Sequence, residues 1–304
     1  MPIPDGLDAQ RRLGPDWERW LDRLPRRCAD LLAEWELTVD GGPMHGFASL
    51  VLPVRTADGE SAVLKVGFDG AEDTAQEHLA LQTWAGDGAV ELYRADPARR
   101  ALLLERIGPR DLVGEWDLQA CETVAALYPR LHRPAGPRFR RLSEVLSGWL
   151  DAMAADAADM PVPRRFVDEA LRRGREFVDD PACDGAIIHG DLHYENVLSA
   201  QREPWLAIDP QPMSGDPHYE IAPLLWNRWD EMDGYLRHSI NRRFVTVVEV
   251  AGFDEERARD WVVVRMIINA HWSVQDAKRV NRPLDDGERD WITKCVAVAK
   301  AVQP

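Results

Sequence analysis

Three polar residues in the second half of the chain have types and a spacing suited to chemistry at a hydroxyl group. Asp191 and Asn196 lie five positions apart in the stretch HGDLHYEN, and Asp209 follows thirteen residues after Asn196. A carboxylate on a rigid loop can orient a hydroxyl and accept its proton. A carboxamide oxygen and a second carboxylate are hard donors that suit Mg²⁺. The pattern therefore predicts Asp191 as the catalytic residue and Asn196 with Asp209 as the metal ligands.

The same spacing occurs in the kinase catalytic loop, H-R-D-x-x-x-x-N, which is followed by a metal-binding aspartate. In that chemistry the metal offsets the charge of the phosphates, and the protein mainly positions the reactants. We therefore expect ATP and Mg²⁺ as cofactors, with direct in-line transfer of the terminal phosphoryl group.

The segments before this loop predict a small α+β lobe that ends at residue 106. An opening helix is expected over 8–34, broken or kinked at Pro25, and a second helix over 72–84. Five strand patterns form an antiparallel sheet, at 36–39, 47–54, 61–66, 90–93 and 101–105.

The chain after residue 106 is mainly helical in pattern. The sequence therefore predicts two domains, a nucleotide-binding lobe over 1–106 and a catalytic and acceptor-binding lobe over 107–304. Helices are expected over part of 118–131 and over 142–158, 164–179, 219–235, 239–251, 255–279 and 286–301.

HGDLHYEN at 189–196, followed by IDP at 208–210, resembles the catalytic loop of the aminoglycoside phosphotransferases. The stretch GDPHYEIAPLLWN at 215–227 is similar to the branch that contains streptomycin 6-phosphotransferases and hydroxyurea phosphotransferases. The resemblance covers nearly the whole chain. It implies a bilobal protein-kinase-like fold and phosphorylation of a hydroxyl on an antibiotic-like acceptor, with an aminoglycoside such as streptomycin favoured.

Three other functions stay open from the sequence. Hydroxyurea phosphotransferase, or another metabolite kinase, is the alternative within this fold. A catalytically inactive kinase-like binding module is the alternative from another class, although such proteins usually lose residues that this chain retains. GDLH at 190–193 also matches the G-D-x-H of binuclear metallophosphoesterases, but no downstream GNHE segment supplies their further metal ligands.

A kinase needs a strand lysine, held by a helix glutamate, to contact the ATP phosphates. Lys65 lies in AVLK, a context typical of that strand, and Glu77 follows twelve residues later in the middle of the predicted helix. Glu72 competes as the partner, but it lies at the predicted start of the helix, where an acid also favours the helix dipole. We predict the pair Lys65–Glu77.

Gly41, Gly42 and Ser49 are the candidate phosphate-loop residues between the first two strands, where glycine lets the backbone approach phosphates closely. GGPMHG at 41–46 is not G-x-G-x-x-G. It has the glycine spacing of a P-loop, but Phe47 stands where the P-loop lysine would be. The individual phosphate contacts therefore stay open.

The resemblance also implies roles for four residues that flank the reactants. Glu105 and Ile107 fall where the family joins its lobes, so their backbone groups would bind the purine edge. His189 and His193 would support the catalytic loop.

Acidic and aromatic residues after the metal loop are the candidates for acceptor binding. Glu220 could instead order the loop by accepting backbone hydrogen bonds, and a solvated helix face would equally explain the last three acids. The candidates are Asp216, Glu220, Trp226, Asp230, Glu231 and Asp233. Most of the tryptophans in this half are expected to pack helices, with a minority lining the acceptor pocket: Trp226, Trp229, Trp261 and Trp272.

The composition limits the kinds of partner. The 304 residues include 37 Lys and Arg against 52 Asp and Glu, a net charge of −15. This acidity disfavours non-specific nucleic-acid binding and suits a cationic small-molecule acceptor. The sequence shows neither a signal peptide nor an apolar membrane span, and its four cysteines are far apart. We expect a cytoplasmic protein with buried thiols, no membrane association and no obligate protein partner.

Overall fold

The computed structural model describes residues 2–232 and 234–303. It divides into two compact units, Met1–Pro109 with Ser199–Gln211, and Arg110–Leu198 with Pro212–Pro304. The first unit therefore includes a segment that the sequence-based division places in the second lobe. The assignment of nucleotide and acceptor binding to separate lobes stays a prediction.

An antiparallel sheet of six strands organises the first unit. Its strands are β1 (Thr38–Val39), β2 (Met44–His45), β3 (Ser49–Arg55), β4 (Ser61–Gly67), β5 (Leu92–Asp96) and β6 (Ala101–Glu105). The order is β1-β3-β4-β6-β5, and β2 also pairs with β3. The sequence predicts five of these strands. The two-residue β2 is too short to show an alternating pattern of its own.

Three helices belong to the same unit, α1 (Asp5–Asp8), α2 (Pro15–Glu34) and α3 (Glu77–Trp84). Leu64 and Val66 of β4 are fully buried in one core with Leu21 and Leu24 of α2. Because successive side chains of a strand point to opposite faces, Lys65 lies on the face of β4 away from that core.

Two helix predictions in this unit need correction. The helix α2 starts at Pro15 rather than at residue 8 and continues through Pro25, so the predicted break is wrong and the alternative of a kink stays a prediction. A proline inside a helix costs about 3 kcal/mol, whereas each fully buried large apolar side chain contributes roughly 1.5–3 kcal/mol. The four residues Leu21, Leu24, Cys28 and Leu31 on the buried face of α2 outweigh that cost. The helix α3 starts at Glu77 rather than at residue 72, because 73–76 form a turn.

The second unit is mainly helical. Its helices are α4 (Asp117–Leu131), α5 (Leu142–Asp156), α6 (Arg164–Asp179), α7 (Ala222–Trp226), α8 (Leu236–Ala251), α9 (Glu255–Arg279) and α10 (Asp286–Ala301). The predicted continuous helix over 219–235 is wrong. Among the described residues of this range, α7 alone is α-helical, between 3-10 turns at Pro217–Glu220 and Trp229–Met232.

Four short strands lie around the motif-bearing loop: β7 (Ala186–Ile188), β8 (Val197–Ser199), β9 (Trp205–Ala207) and β10 (Met213–Gly215). The strand β7 pairs with β10 in antiparallel register, with Ile187 opposite Ser214. The chain leaves β7 directly into the loop that begins at His189, so a buried, paired strand fixes the point where the loop starts.

The four cysteines are free and buried, as the sequence predicts. Burial raises the pKa of the Cys28 thiol to about 11, so it stays protonated and behaves as a small apolar side chain. Across the described residues, none of the helices combines the length and the apolar character needed to cross a membrane.

Candidate active site

The structure confirms that Lys65 and Glu77 form a pair in the first unit. The Nζ of Lys65 lies 2.7 Å from both carboxylate oxygens of Glu77. Both side chains are buried, at 7 % and 4 % exposed. Burial raises the pKa of Glu77 to about 7, while Lys65 and the N-terminus of α3, where Glu77 is the first residue, favour its charge. No contact of Glu72 with Lys65 is recorded among the described residues, which favours Glu77 as the partner.

Asp209 joins this pair from a distant part of the chain. Its Oδ1 accepts a hydrogen bond of 2.5 Å from the Nζ of Lys65, 144 residues earlier in the sequence. Burial disfavours the charge on Lys65, but the carboxylates of Asp209 and Glu77 outweigh it and raise the pKa of the lysine. Lys65 therefore carries a full positive charge at neutral pH.

The backbone of Asp209 is itself unusual. Its φ is 57°, in the left-handed region that is sparsely populated by residues other than glycine. Strained residues of this kind cluster at functional sites, where the surrounding structure over-determines them. Here the bond to Lys65 helps to hold the turn that presents the carboxylate.

The turn between β2 and β3 comes close to the carboxylate of Asp209 at Gly46, whereas Gly41 faces Pro53 and Gly42 faces open space. A Cβ built on Gly46 would lie 3.1 Å from the Oγ of Ser49 and 3.9 Å from the Oδ2 of Asp209. A Cβ on Gly41 would instead meet the ring of Pro53, and a Cβ on Gly42 would meet nothing within 4 Å. The structure therefore favours Gly46 and Ser49 over Gly41 and Gly42 as the phosphate-loop positions.

Glu105 lies at the end of β6, and its carboxylate is held by Arg202. The guanidinium donates to both oxygens of Glu105, and also to the carbonyls of Gly86 and Ala89, at 2.7–3.1 Å. Ile107 follows in the irregular segment after the strand. The side chain of Glu105 is thus structural, and the predicted purine contacts remain with the backbone of the segment.

In the second unit, hydrogen bonds hold both the N–H and the carbonyl of Gly190. Its N–H donates to Oε1 of Glu220 at 2.6 Å, and its carbonyl accepts from Nη2 of Arg265 at 2.6 Å. Its φ is 87°, a backbone conformation that glycine adopts without strain. The loop therefore enters the Asp191 position in a fixed direction.

Glu220 is fully buried, which agrees with the loop-ordering alternative and argues against contact with an acceptor. Burial disfavours its charge, but the hydrogen bonds of His132 and of the Gly190 N–H outweigh it and lower its pKa. Glu220 is therefore ionised, which strengthens its bond to Gly190.

His189, His193 and Asn196 surround Asp191. The N–H of Asp191 donates to Nδ1 of His189 at 3.3 Å, and Nδ2 of Asn196 donates to the carbonyl of Asp191 at 2.8 Å. Nδ2 of Asn196 also lies 3.1 Å from Nε2 of His193, which is itself 3.7 Å from Oδ2 of Asp191. These contacts agree with the support roles implied for the histidines. Both recorded bonds of the Asn196 side chain use its nitrogen, so its Oδ1 is the atom suited to a metal.

The far end of the loop is anchored by residues that the sequence analysis did not select as site residues. The N–H of Tyr194 donates to Oδ1 of Asn227 at 3.3 Å, and its hydroxyl lies 3.2 Å from Oδ1 of Asp117. Arg243, which is 1 % exposed, pairs with Asp117 and donates to the carbonyl of Asn227. This network fixes the position of the loop after Asp191.

Asp216 does not lie where it could readily bind an acceptor. It is 1 % exposed and accepts hydrogen bonds from Nε of Arg257 and Nε1 of Trp261, both at 2.6 Å, and from the N–H of His218 at 3.0 Å. Burial disfavours its charge, but the His218 contacts and Arg257 lower its pKa. These contacts argue against the predicted acceptor role and assign Asp216 a structural one.

Asp230 does border a surface pocket. The pocket has a volume of about 280 Å³ and is lined by Trp229, Asp230, Met232, Gly234 and Leu236. Trp226 is absent from this lining and packs edge-on against Trp291, with ring centroids 5.4 Å apart. Its contact with an acceptor stays a prediction.

The other acidic and tryptophan candidates of this region show no contact that indicates acceptor binding among the described residues. Glu231 pairs with Arg228 on the surface, and Asp233 lies outside the described residues. Trp261 is fully buried against Phe177, and Trp272 packs edge-on against Trp149. Both contacts agree with the expected packing role.

Arg265 carries a signal that could have been read from the sequence. It stands in the run WVVVRMII, where its neighbours on both sides are buried apolar residues. A charged residue in such a run must find hydrogen-bond partners, because an unpaired buried charge is very costly. The partners, Gly190 and Tyr219, are 75 and 46 residues away in sequence and become evident only in the structure.

The binuclear metallophosphoesterase alternative finds no support in the geometry. Within residues 2–232 and 234–303, no three His, Cys, Asp or Glu side chains come together in a way that could hold a metal ion. Lys65, for which that chemistry has no use, is paired with two acids. The fold and these residue clusters define a protein-kinase-like phosphotransferase.

Comparison with known proteins identifies the particular family. The model of the family described as aminoglycoside/hydroxyurea antibiotic resistance kinase matches residues 34–277, and the chain belongs to this family. It is 38 % identical to streptomycin 6-kinase of Streptomyces glaucescens, over 92 % of this chain and 94 % of that one. It is also 38 % identical to hydroxyurea phosphotransferase of Kitasatospora aureofaciens, over 90 % of this chain and 80 % of that one.

A solved structure supports the fold. An aminoglycoside phosphotransferase, in a ternary complex with ADP and hygromycin B, superimposes with a TM-score of 0.59. It is 15 % identical and covers 90 % of this chain and 97 % of its own. The predicted kinase-like α+β fold is confirmed, and the family assignment argues against the inactive binding module.

Proposed function

We propose that the protein transfers the γ-phosphoryl group of ATP, with Mg²⁺, to a hydroxyl of an aminoglycoside, and that streptomycin is the acceptor. The observation that carries the proposal is the bond between Lys65 and Asp209. It brings the strand lysine to the predicted metal ligand, as phosphoryl transfer requires. Similarity to streptomycin 6-kinase over nearly the full length of both chains supports the choice of acceptor.

In this proposal Asp191 orients the acceptor hydroxyl and takes its proton. The oxygen forms a bond to the γ-phosphorus as the bond to the leaving ADP breaks, so no phosphoenzyme is needed. The hydrogen bonds to the backbone of Gly190 and Tyr194 hold the carboxylate of Asp191 in place. This positioning matters because a displacement of about 1 Å costs roughly 10²-fold in rate.

Lys65, fully charged and steadied by Glu77, binds the phosphates, and the Gly46–Ser49 turn approaches them with its backbone. Glu105 and Ile107 offer backbone groups to the purine. Asn196 and Asp209 would hold Mg²⁺ through oxygen donors, which are the ligands that this ion prefers. When bound, the ion would neutralise the charge on the phosphates.

Hydroxyurea is the second candidate acceptor, and the match to hydroxyurea phosphotransferase supports it. The two acceptors differ in what they need. Streptomycin carries guanidinium groups that suit an acidic surface, whereas hydroxyurea is small and neutral. The carboxylate of Asp230 in the 280 Å³ pocket favours a cationic acceptor over a neutral molecule.

The test incubates purified protein with ATP, Mg²⁺ and, separately, streptomycin, hydroxyurea, other aminoglycosides and simple sugars. Mass spectrometry then identifies any product that has gained one phosphoryl group. We expect a phosphorylated streptomycin. Modification of hydroxyurea alone would assign the second candidate, and no phosphorylated product from any compound would refute the proposal.

A further inference from the structure

A polar and aromatic stripe runs along α9. Arg265, Asn269 and Trp272 are spaced by four and then three residues, so their side chains lie on one face of the helix. The distance along the axis from the first to the third is about 10 Å at 1.5 Å per residue. Polar side chains are unexpected in this part of α9, because most of the positions from Trp261 to His271 are buried.

One end of the stripe lies at the catalytic loop. Arg265 donates to the carbonyl of Gly190, the residue before Asp191. Its guanidinium also lies 4.1 Å from the ring centroid of Tyr219. The charge of Asp191 acts on the same tyrosine, where it adds to burial in raising the hydroxyl pKa while Arg265 opposes them. Arg265 therefore contacts both Tyr219 and the residue that precedes Asp191.

Two polar atoms of the stripe have no hydrogen-bond partner among the described residues, one at its middle and one at the end near the catalytic loop. Oδ1 of Asn269 and Nε of Arg265 are buried and have no hydrogen-bond partner among the described residues. Both side chains are 6 % exposed. An unsatisfied buried polar group costs about 1–3 kcal/mol, and native proteins leave few of them. A ligand hydroxyl could donate to the first atom and accept from the second.

The other end of the stripe is aromatic. Trp272 is partly buried and packs edge-on against Trp149 of α5, with ring centroids 5.1 Å apart. Such a pair presents apolar surface on which a saturated ring can pack.

We propose that this stripe binds the acceptor, with a hydroxyl group of one ring at Asn269 and a second ring against Trp272. The proposal rests on the proposed function, since it places the modified hydroxyl at Asp191. It also specifies the class of acceptor. A stripe of about 10 Å matches a compound of two or three linked rings, whereas hydroxyurea could reach only the end near Arg265.

The test compares Asn269→Leu and Trp272→Leu with the wild-type protein. Leucine at 269 removes the carboxamide oxygen and nitrogen of Asn269 at similar side-chain volume. Asn269→Asp restores an oxygen that can accept a hydrogen bond. Glu256→Gln is the control, because it changes an exposed polar side chain nine residues before Arg265, on the opposite face of α9. Streptomycin binding is measured by calorimetry, and KM values for streptomycin and ATP are measured by steady-state kinetics.

We expect each leucine variant on the stripe to weaken streptomycin binding about tenfold, the effect of losing roughly 1.4 kcal/mol. The KM for ATP should stay within about twofold, Asn269→Asp should recover binding, and Glu256→Gln should match the wild type. Wild-type affinity in both leucine variants would overturn the inference even if streptomycin is phosphorylated. Absence of streptomycin binding to the wild-type protein would overturn it as well.

Turnover and binding separate the two proposals. Streptomycin that binds, and binds less tightly to the stripe variants, but gains no phosphoryl group would refute the proposed function and support the stripe as a binding site.

Discussion

The N–H of Gly190 donates to Oε1 of Glu220 at 2.6 Å, and this bond fixes the direction in which the chain enters Asp191. The acceptor is a buried, ionised carboxylate, so the bond is charge-assisted and strong. Arg265 holds the carbonyl of the same residue. The candidate catalytic loop is thus positioned through its backbone by two charged side chains from later in the sequence.

Glu220→Gln should therefore loosen the catalytic loop without removing any group that contacts the reactants. We expect kcat to fall about 10- to 100-fold, since misplacement by roughly 1 Å costs up to 10²-fold, with the KM for ATP nearly unchanged. Steady-state kinetics with streptomycin measures both constants. Glu176→Gln, which alters an exposed carboxylate of α6, is the control and should retain full kcat. A Glu220→Gln enzyme with the wild-type kcat would contradict the positioning role.

Asp191→Asn should remove the proton acceptor while keeping the side-chain shape. We expect turnover to fall roughly 10²- to 10⁴-fold, the usual contribution of a general base. ATP binding, measured by calorimetry, should stay within about threefold of the wild type, since Asp191 does not bind the nucleotide in this proposal. Asp151→Asn, at an exposed carboxylate, is the matched control. Unchanged turnover in Asp191→Asn would exclude it from catalysis.

Lys65→Met should weaken ATP binding because the methionine cannot donate to a phosphate. The loss of charge-assisted hydrogen bonds, worth about 1.5–3 kcal/mol, predicts a rise of roughly 10- to 100-fold in the Kd for ATP. Lys65→Arg should not rescue binding, since a planar guanidinium cannot occupy the site between Glu77 and Asp209 in the way a compact ammonium does. Calorimetry with ATP and Mg²⁺ measures the Kd. An Arg variant with wild-type affinity would show that only charge is needed there.

Asp216→Asn should lower stability and change its pH dependence. The wild-type carboxylate has a lowered pKa in the folded protein, so its stabilising effect is full above the unfolded value of about 3.9 and is lost as the pH falls through the folded value. We expect a loss of about 2 kcal/mol at pH 7, the scale of hydrogen bonds to a charged group. The difference from the wild type should shrink below about pH 4.

Urea unfolding of both proteins between pH 3 and pH 7 measures this difference. Asp168→Asn removes a carboxylate from an exposed pair with Arg164 and should change stability by less than about 0.5 kcal/mol. A constant gap between Asp216→Asn and the wild type across the pH range would show that the charge of Asp216 does not stabilise the fold.

Elements with a long, regular pattern could be predicted closely. The helices α6, α9 and α10 start and end at the predicted residues, because each has many turns of apolar spacing. The predictions failed where local pattern was weak or was overridden. The two-residue β2 has no periodicity, Pro25 is accommodated by the buried face of α2, and the helix expected over 219–235 is interrupted by two 3-10 turns.

The sequence by itself determined the kinase-like class and the residue types of the site, because the spacing of Asp191, Asn196 and Asp209 is local and each chemical role restricts the residue. It also indicated the pair Lys65–Glu77 through the order of strand and helix. Only the tertiary structure decided which distant groups hold the loop, that Asp216 is structural, and that the turn at Gly46 approaches Asp209. Every residue type has the same backbone carbonyl, and every type except proline the same N–H, so the identity of the held residue does not reveal which side chain binds its backbone. Such partners become known only once the chain is folded.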